Sequence, residues 1–213
     1  MQVLERPASR RERWEAHRAE RRQAMIEAAV RAIRRRGPAV TMDDMAAEAG
    51  VAKPILYRVF RDKAQLYRLV GSAVAETVLI PALMAEMQAG RPAQDQVAAM
   101  IDAYLRVIEA DPQLYRFVVH PALDERPVPA DLVGTYKQVI AGHLARFIEA
   151  ALERLGLDRG GAEPWAEALV GMVHEAGDWW LERRTMSREQ LTGYLAALVW
   201  GGFAALETAA AAG

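Results

Sequence analysis

The sequence predicts an all-α protein, with a three-helix unit near the N-terminus and a longer helical region behind it. Apolar residues recur every three or four positions along most of the chain, and we find no convincing strand-like alternation. Proline and glycine divide the sequence into segments of helical length. With 213 residues, 52% of them hydrophobic, the chain is long enough to bury a sizeable core.

The first helix is predicted from one apolar face and a clear stop. Ile26, Ala29, Val30 and Ile33 follow helical spacing, and Gly37-Pro38 ends the pattern. Three arginines occupy the last turn, where the helix dipole favours cations.

Two short helices joined by a glycine turn are predicted next. Thr41 precedes two aspartates, which is a helix start signal. Gly50 ends that helix, because glycine accepts the positive φ of a tight turn. Pro54 suits the first turn of the following helix, while Ala46 is small enough for a close crossing and Leu56 supplies an inner face. This pattern predicts a helix-turn-helix.

The charge of the chain is unevenly distributed. Residues 1–70 hold 16 lysines and arginines against nine acidic residues, a net charge of +7. Residues 71–213 hold 11 against 19, a net charge of −8. Such asymmetry indicates a basic module for a polyanion such as DNA, joined to a module with another role.

The rest of the chain is predicted to be helical as well. A fourth helix should run from about Lys63 to Gln88, with a kink or interruption at Pro81. A linker at 89–92 follows. Further helices are predicted at about 93–110, 112–120, 130–155, 164–184 and 188–210.

Composition excludes several classes of site. The chain has no cysteine, which excludes disulfides and thiolate chemistry. We expect no secretory signal, because the first twenty residues are arginine-rich. The most apolar segment, Leu191 to Leu206, is short for a membrane span and is bounded by Glu189 and Glu207. We therefore expect a cytoplasmic protein without a membrane segment.

The stretch from Thr41 to Leu66, TMDDMAAEAGVAKPILYRVFRDKAQL, resembles the DNA-binding domain of the tetracycline-repressor (TetR) family. The resemblance covers about residues 20–70. One departure is Ala52, where the family often has serine, and losing a serine cap costs about 1 kcal/mol. Contact between position 52 and a phosphate is therefore in doubt.

The resemblance implies that the third helix lies in the major groove of DNA. Thr41, Tyr57 and Lys63 would contact phosphates, Lys53 would reach a phosphate or a base edge, and Pro54 lies where a thymine methyl could be contacted. Phe60 matches a buried aromatic residue. The expected DNA-binding residues are Thr41, Lys53, Pro54, Tyr57, Arg58 and Lys63.

Residues 1–22 form a basic N-terminal segment with seven arginines from Arg6 to Arg22. An arm of this kind can enter a minor groove, where arginine recognises a narrow width. Alternatively, the segment extends the first helix with a solvated face, since Glu12, Glu15 and Glu20 are interleaved. Both interpretations stay open.

The resemblance implies that residues 71–213 bind a ligand and form a homodimer, so that the protein represses transcription from a palindromic operator. The last two helices would pair with their copies through small residues. The alternative is that both helices fill a monomeric core. The small residues are Ala168, Gly171, Gly177, Gly193, Ala196, Ala197, Gly201 and Gly202.

Aromatic and histidine residues between about 93 and 184 suggest a pocket for a small apolar effector with one polar end. His174 and Trp179 are the strongest candidates, although such residues also occur as core. Some relatives with a similar arm and an Ala-Lys-Pro helix start respond to fatty acyl thioesters, which implies a similar effector here. The candidates are Tyr104, Tyr115, Phe117, His120, Tyr136, His143, His174 and Trp179.

The sequence leaves two alternative functions. His174 and Asp178 share a helix face and could bind a metal, with Glu175 as a base, in a helical metal-dependent hydrolase. This alternative lacks an evident third ligand. A helical adaptor that binds only proteins would not require Lys53, Tyr57 and Lys63 together. We expect no catalytic residue, metal or cofactor.

Overall fold

The computed structural model describes residues 10–87, 90–119 and 132–212, and these ranges hold ten α-helices and no strand. The all-α prediction is confirmed, and the predicted helix positions agree closely with the structure. The helices are α1 (Arg10–Arg36), α2 (Met42–Glu48), α3 (Lys53–Val59), α4 (Lys63–Val74), α5 (Ile80–Met87), α6 (Ala93–Ala110), α7 (Pro112–Val119), α8 (Leu132–Arg154), α9 (Ala162–Arg183) and α10 (Arg188–Ala212).

Helices α1 to α4 enclose a first hydrophobic core. Ile33, Leu56, Phe60 and Leu66 are each fully buried in it, so Phe60 is a core residue as predicted. Phe117 of α7 joins the same core and packs against Tyr67, with ring centroids 5.3 Å apart. This core therefore includes one helix from the second half of the chain.

Side-chain caps fix the ends of the short helices. The Thr41 hydroxyl accepts a hydrogen bond from the Asp44 amide at 3.2 Å, and the Asp44 carboxylate accepts one from the Thr41 amide at 3.0 Å. Gly50 turns the chain with φ at +65°. Ala52 provides no side-chain cap for α3, in agreement with the sequence. Asp62 caps α4 by accepting from the Gln65 amide at 2.6 Å.

The predicted interruption near Pro81 takes the form of a π-helical turn at Ala75–Leu79 between α4 and α5. Proline has no amide proton and crowds the carbonyl four residues earlier, so the regular series of α-helical hydrogen bonds is interrupted before it. Ala64–Met87 is long and apolar enough to cross a membrane by length and composition alone. Leu66 and Val70 of this segment are fully buried in the first core.

The second half of the chain packs around two further clusters. Leu105 of α6, Trp180 of α9 and Leu195 of α10 belong to one of them. Ile148 of α8 and Ala166 of α9 belong to the other. The long helices α6, α8, α9 and α10 thus form a second helical unit beside the first.

Candidate nucleic-acid interface and internal cavity

Helix α3 presents a polar, basic outer surface because its apolar residues face inward. Leu56 is buried and Ile55 is half-buried. Lys53, Tyr57 and Arg58 are exposed, with Tyr57 exposed by 42%. A helix with one face packed on a core and a cationic face towards solvent has the form of a recognition helix.

The other predicted DNA contacts lie around this helix. Thr41 and Pro54 are exposed near the beginnings of α2 and α3. Lys63 is the first residue of α4, and its side chain lies outside the described part of the structure. The fold thus places the five predicted side chains that are described at exposed positions on α3 or next to it.

Lys53 has an acidic neighbour that the sequence analysis did not consider. Its Nζ lies 2.8 Å from the Asp43 carboxylate on α2, and the hydrogen bond to Asp43 raises the pKa of Lys53. Both side chains are largely exposed. A DNA phosphate approaching Lys53 would therefore compete with Asp43.

Arginines near the end of α1 have structural partners. Arg31 forms an ion pair with Glu48 at 3.0 Å, Arg35 pairs with the same carboxylate, and Arg36 lies 3.2 Å from Asp44. These pairs hold α1 against α2.

The basic segment is helical in its described part. Helix α1 begins at Arg10, as the helix-extension interpretation predicted, and residues 1–9 lie outside the described residues. The residues of α1 before Met25 whose burial is described are all exposed. Trp14 is 60% exposed, with the Arg18 guanidinium 4.7 Å from its ring centroid.

A cavity of about 880 Å³ lies within the second unit and reaches α1, α4 and α5. Its walls are mostly apolar and include Val78, Ile140, Phe147, Val173 and Phe203. The volume lies near the upper end of the range for small-molecule sites, roughly 300–1,000 Å³. The cavity can therefore hold a sizeable apolar molecule.

One polar cluster interrupts the apolar wall. The hydroxyl of Tyr104 lies 3.4 Å from the hydroxyl of Tyr115 and 3.2 Å from Nδ1 of His174. The Tyr115 hydroxyl is 3.5 Å from the same nitrogen. Burial raises the pKa of both phenols, so both stay protonated at neutral pH.

The cavity lining includes four of the eight predicted effector residues, namely Tyr104, Tyr115, Tyr136 and His174. Phe117 is buried in the first core instead, because it lies about 200° around α7 from Tyr115. His143 contacts Arg146 at 2.7 Å, and Trp179 is 40% exposed. Phe117, His143 and Trp179 do not line this cavity, and effector contact stays a prediction for all eight residues. His120 lies outside the described residues.

Two charged residues of the cavity lining were not predicted from the sequence. Arg34 of α1 forms an ion pair with Asp111 at 2.5 Å, and both line the cavity. Asp111 also accepts from the Leu114 amide at 3.2 Å at the start of α7. The Asp111-Pro112 step is a typical helix start, which indicates a capping role for Asp111. The ion pair between Arg34 and Asp111 has no signal in the sequence, because the two residues are 77 positions apart.

An apolar surface lies on the outside of α10. Tyr194 and Leu198 are 66% and 65% exposed, although both are large and apolar. Gly193, Ala197 and Gly201 lie beside them and are exposed as well. Gly177 differs from the other small residues predicted at the dimer interface, because it is buried within the chain against Tyr104 and Ile108.

The hydrolase alternative gains no support from the geometry. Among residues 10–87, 90–119 and 132–212, no three histidine or acidic side chains lie close enough to hold a metal ion. The Nδ1 atom of His174 lies within hydrogen-bond distance of two tyrosines.

Comparison with known proteins identifies both units. Residues 25–70 match the family described as bacterial regulatory proteins, tetR family, and residues 82–213 match the tetracyclin repressor-like C-terminal domain. An uncharacterized HTH-type transcriptional regulator of Mycobacterium tuberculosis is 35% identical over 191 residues, which cover 90% of this chain and 80% of that protein. The HTH-type transcriptional activator FasR of Mycolicibacterium smegmatis is 26% identical over 187 residues, covering 87% and 84%.

A solved structure extends the likeness to the whole fold. The fatty acid degradation regulator FadR from Bacillus halodurans superposes with a TM-score of 0.69 at 15% identity, covering 85% of this chain and 95% of that one. At this identity the likeness concerns the fold alone. Taken with the family matches to both units, the recognition helix and the internal cavity identify the chain as a member of the TetR family of DNA-binding transcriptional regulators.

Proposed function

We propose that the protein is a homodimeric repressor that binds a two-fold symmetric operator and changes its DNA affinity when an apolar molecule occupies the cavity. The observation that carries this proposal is the position of α7. Phe117 on α7 is buried in the core of the DNA-binding unit, while Tyr115 on the same helix lines the cavity. A ligand that displaces α7 would therefore act directly on the DNA-binding core.

Two further contacts support this coupling. Arg34 of α1 is held by Asp111, which caps α7. The hydroxyl of Tyr67 on α4 donates to the carbonyl of Val118 on α7. Both connect the core that carries α3 to the helix that borders the cavity, so movement of α7 would change the position of α3.

We assign DNA contact to the surface of α3 and its flanks. Lys53 and Arg58 supply charge, Tyr57 supplies a hydroxyl, and Thr41 lies at the exposed start of α2. Lys63 belongs to this set by its position at the beginning of α4. Phosphate contacts by these residues would fix the register on the duplex, and contacts at Lys53 and Pro54 would favour particular bases.

Homodimer formation is supported by the apolar surface on α10. Exposed Tyr194 and Leu198, together with the small residues around them, would be covered by the same surface of a second copy. Two recognition helices about 34–36 Å apart would then reach successive major grooves.

The effector is proposed to be a small apolar molecule similar to an acyl thioester. The apolar walls of the cavity support an extended hydrocarbon chain. Fatty acid degradation appears in the name of the FadR protein with the same fold. The protein would act in the cytoplasm, where bacterial chromosomal DNA lies.

The N-terminal extension of α1 is proposed to contact DNA beside the operator. Arg18 and Arg22 continue the three-and-four spacing of the buried residues Met25 and Ala29. Arg21 lies close to the same face. Among the described residues, neither Arg21 nor Arg22 has a carboxylate within ion-pair distance. From Arg10 to Met25 the extension spans about 22 Å, which is long enough to follow the duplex.

Selection of random duplex DNA by the purified protein at moderate salt tests the proposed mode of DNA binding. We expect enrichment of a palindrome with half-sites about one helical turn apart. The enriched duplex, placed before a reporter gene, then tests repression. Enrichment of a single half-site, or reporter activation, would contradict the dimeric-repressor proposal.

A further inference from the structure

The polar cluster in the cavity joins three helices at one point. Tyr104 comes from α6, Tyr115 from α7 and His174 from α9. Their hydrogen-bonding atoms lie within 3.2 to 3.5 Å of each other. A ligand group that enters this cluster can exchange hydrogen bonds with two phenols and an imidazole at the same time.

The backbone of α9 makes room for this cluster. A Cβ atom at Gly177 would lie 2.9 Å from Cε1 of Tyr104 and 2.9 Å from Cδ1 of Ile108. Gly177 is therefore the residue that allows the Tyr104 ring to pack directly against α9. This requirement gives Gly177 a role inside the protomer.

The charges near the cluster disfavour an anionic head group. The negative charges of Asp178 and Glu175 add to the effect of burial and raise the pKa of Tyr104 and Tyr115. A carboxylate placed between these phenols would meet the same negative charge from Asp178, while Glu175 is 75% exposed and lies 3.7 Å from Lys137.

The cationic residues of the lining are already paired with acidic residues. Arg34 is held by Asp111 at 2.5 Å, and Arg106 is bonded to Asp102. Lys137 lies 3.7 Å from Glu175. A free fatty acid would have to displace one of these carboxylates to gain a cationic partner.

We infer that the cavity binds an apolar chain that ends in an uncharged oxygen group, such as an alcohol or the carbonyl of an ester or thioester, and discriminates against the free carboxylate. Tyr104 and Tyr115 donate to the ligand oxygen, and the apolar walls hold the chain. This inference rests on the proposed effector role of the cavity.

Three single-chain probes of equal length test the inference. The binding of dodecan-1-ol, dodecanoate and dodecylamine to the purified protein is measured by calorimetry at pH 7.5, below micelle-forming concentrations. We expect the alcohol to bind at least 10-fold more tightly than the carboxylate. The double variant Tyr104→Phe/Tyr115→Phe should weaken alcohol binding by about 10-fold, since two hydrogen bonds are lost while both rings remain.

Thr77→Val is the control. It removes a hydroxyl from the π-helical turn beside the cavity, but that hydroxyl donates to the Ala73 carbonyl at 2.5 Å and does not line the cavity. Alcohol binding to this variant should stay within about twofold of the wild-type value.

Each other outcome has a defined meaning. Equal or tighter binding of dodecanoate would overturn the inference and leave the proposed effector cavity intact. Preference for dodecylamine would overturn it too, because the cluster would then select a cation. If none of the three probes binds, both this inference and the proposed effector function of the cavity fail.

Discussion

The two units of this chain differ in how they are packed. In the DNA-binding unit, the 27-residue helix α1 and the short helices α2 to α4 enclose a filled core, in which Ile33, Leu56 and Phe60 are completely buried. In the second unit, which we call the effector unit after its proposed role, helices α6 and α8 to α10 have 18 to 25 residues and surround a cavity of about 880 Å³.

This difference follows from what each unit has to do. A surface that recognises DNA must keep its side chains in one arrangement, and a filled core provides that rigidity. A unit that responds to a ligand, as we propose for the second unit, needs space and two arrangements whose relative energy the ligand can change. The cavity supplies the space, and α7 carries residues of both units.

The largest expected effect is on stability. The same substitution, leucine to alanine, should destabilise the protein more in the filled core than at the cavity wall. Leu56→Ala in the filled core should lower the free energy of unfolding by about 3–5 kcal/mol. Leu144→Ala, at a half-buried position that already borders the cavity, should cost only about 1–2 kcal/mol. Urea unfolding at one protein concentration measures both. Equal losses would show that the cavity wall is as tightly packed as the first core.

The second prediction concerns the extension of α1. The triple variant Arg18→Gln/Arg21→Gln/Arg22→Gln removes six arginines from the proposed homodimer, so it should reduce the salt slope of DNA binding by about 5 units and weaken binding by at least about 100-fold at 0.15 M salt. Titration of a labelled duplex at several salt concentrations gives both values.

The control for this variant is Arg146→Gln/Arg154→Gln/Arg159→Gln, which removes the same charge from exposed positions of the effector unit. It should leave the salt slope nearly unchanged. If the two triple variants behave alike, the extension acts only through net charge and does not lie against the duplex.

The third prediction tests the phosphate contacts next to the recognition helix. Tyr57→Phe and Lys63→Ala should weaken binding to all DNA sequences about equally, and Lys63→Ala should lower the salt slope by about one unit per protomer. Repeating the sequence selection with each variant checks this. A changed sequence preference would mean that the altered residue contacts a base.

The fourth prediction concerns the acidic neighbour of Lys53. Asp43→Asn removes the carboxylate that lies 2.8 Å from Lys53 Nζ, so DNA affinity should rise by roughly three- to tenfold at 0.15 M salt. Gel-shift titration measures the change, with Asp95→Asn on the exposed start of α6 as the control. If Asp43→Asn leaves the DNA affinity unchanged, Lys53 does not contact DNA.

The smallest expected effect concerns the cap of α2. Thr41→Ala removes the hydroxyl that accepts from the Asp44 amide and should cost about 1 kcal/mol of stability. Thr41→Ser keeps the cap and serves as control. The Asp44 carboxylate accepts hydrogen bonds from the amide and the hydroxyl of Thr41, and these lower the pKa of Asp44. The stability that this carboxylate contributes should therefore be lost as pH falls through its lowered pKa. A pH series of thermal unfolding tests this dependence.

The sequence predicted the DNA-binding unit well because its determinants are local. Thr41, Gly50 and Pro54 act on neighbouring residues, so their effects on the backbone can be inferred without knowing the fold. The interruption before Pro81 was predictable for the same reason. Its π-helical form was not, because it depends on how the two flanking helices pack.

The cavity was only half predictable because its lining comes from distant parts of the chain. Tyr104 and His174 are 70 residues apart and meet through the packing of α6 on α9. Aromatic composition suggested candidates, but it could not show that Trp179 faces outward or that Phe117 enters the other core. The pairing of Arg34 with Asp111 likewise depends on tertiary structure.

The central claim is that the cavity and the recognition helices are energetically coupled, and coupling is reciprocal. The most direct measurement is the affinity of the tightest dodecyl probe for the protein alone and for the protein saturated with its selected operator. We predict that operator DNA weakens probe binding, and that the probe weakens operator binding by the same factor, between about 5-fold and 150-fold. Equal probe affinity with and without the operator would contradict the account, because the cavity would then have no influence on DNA binding.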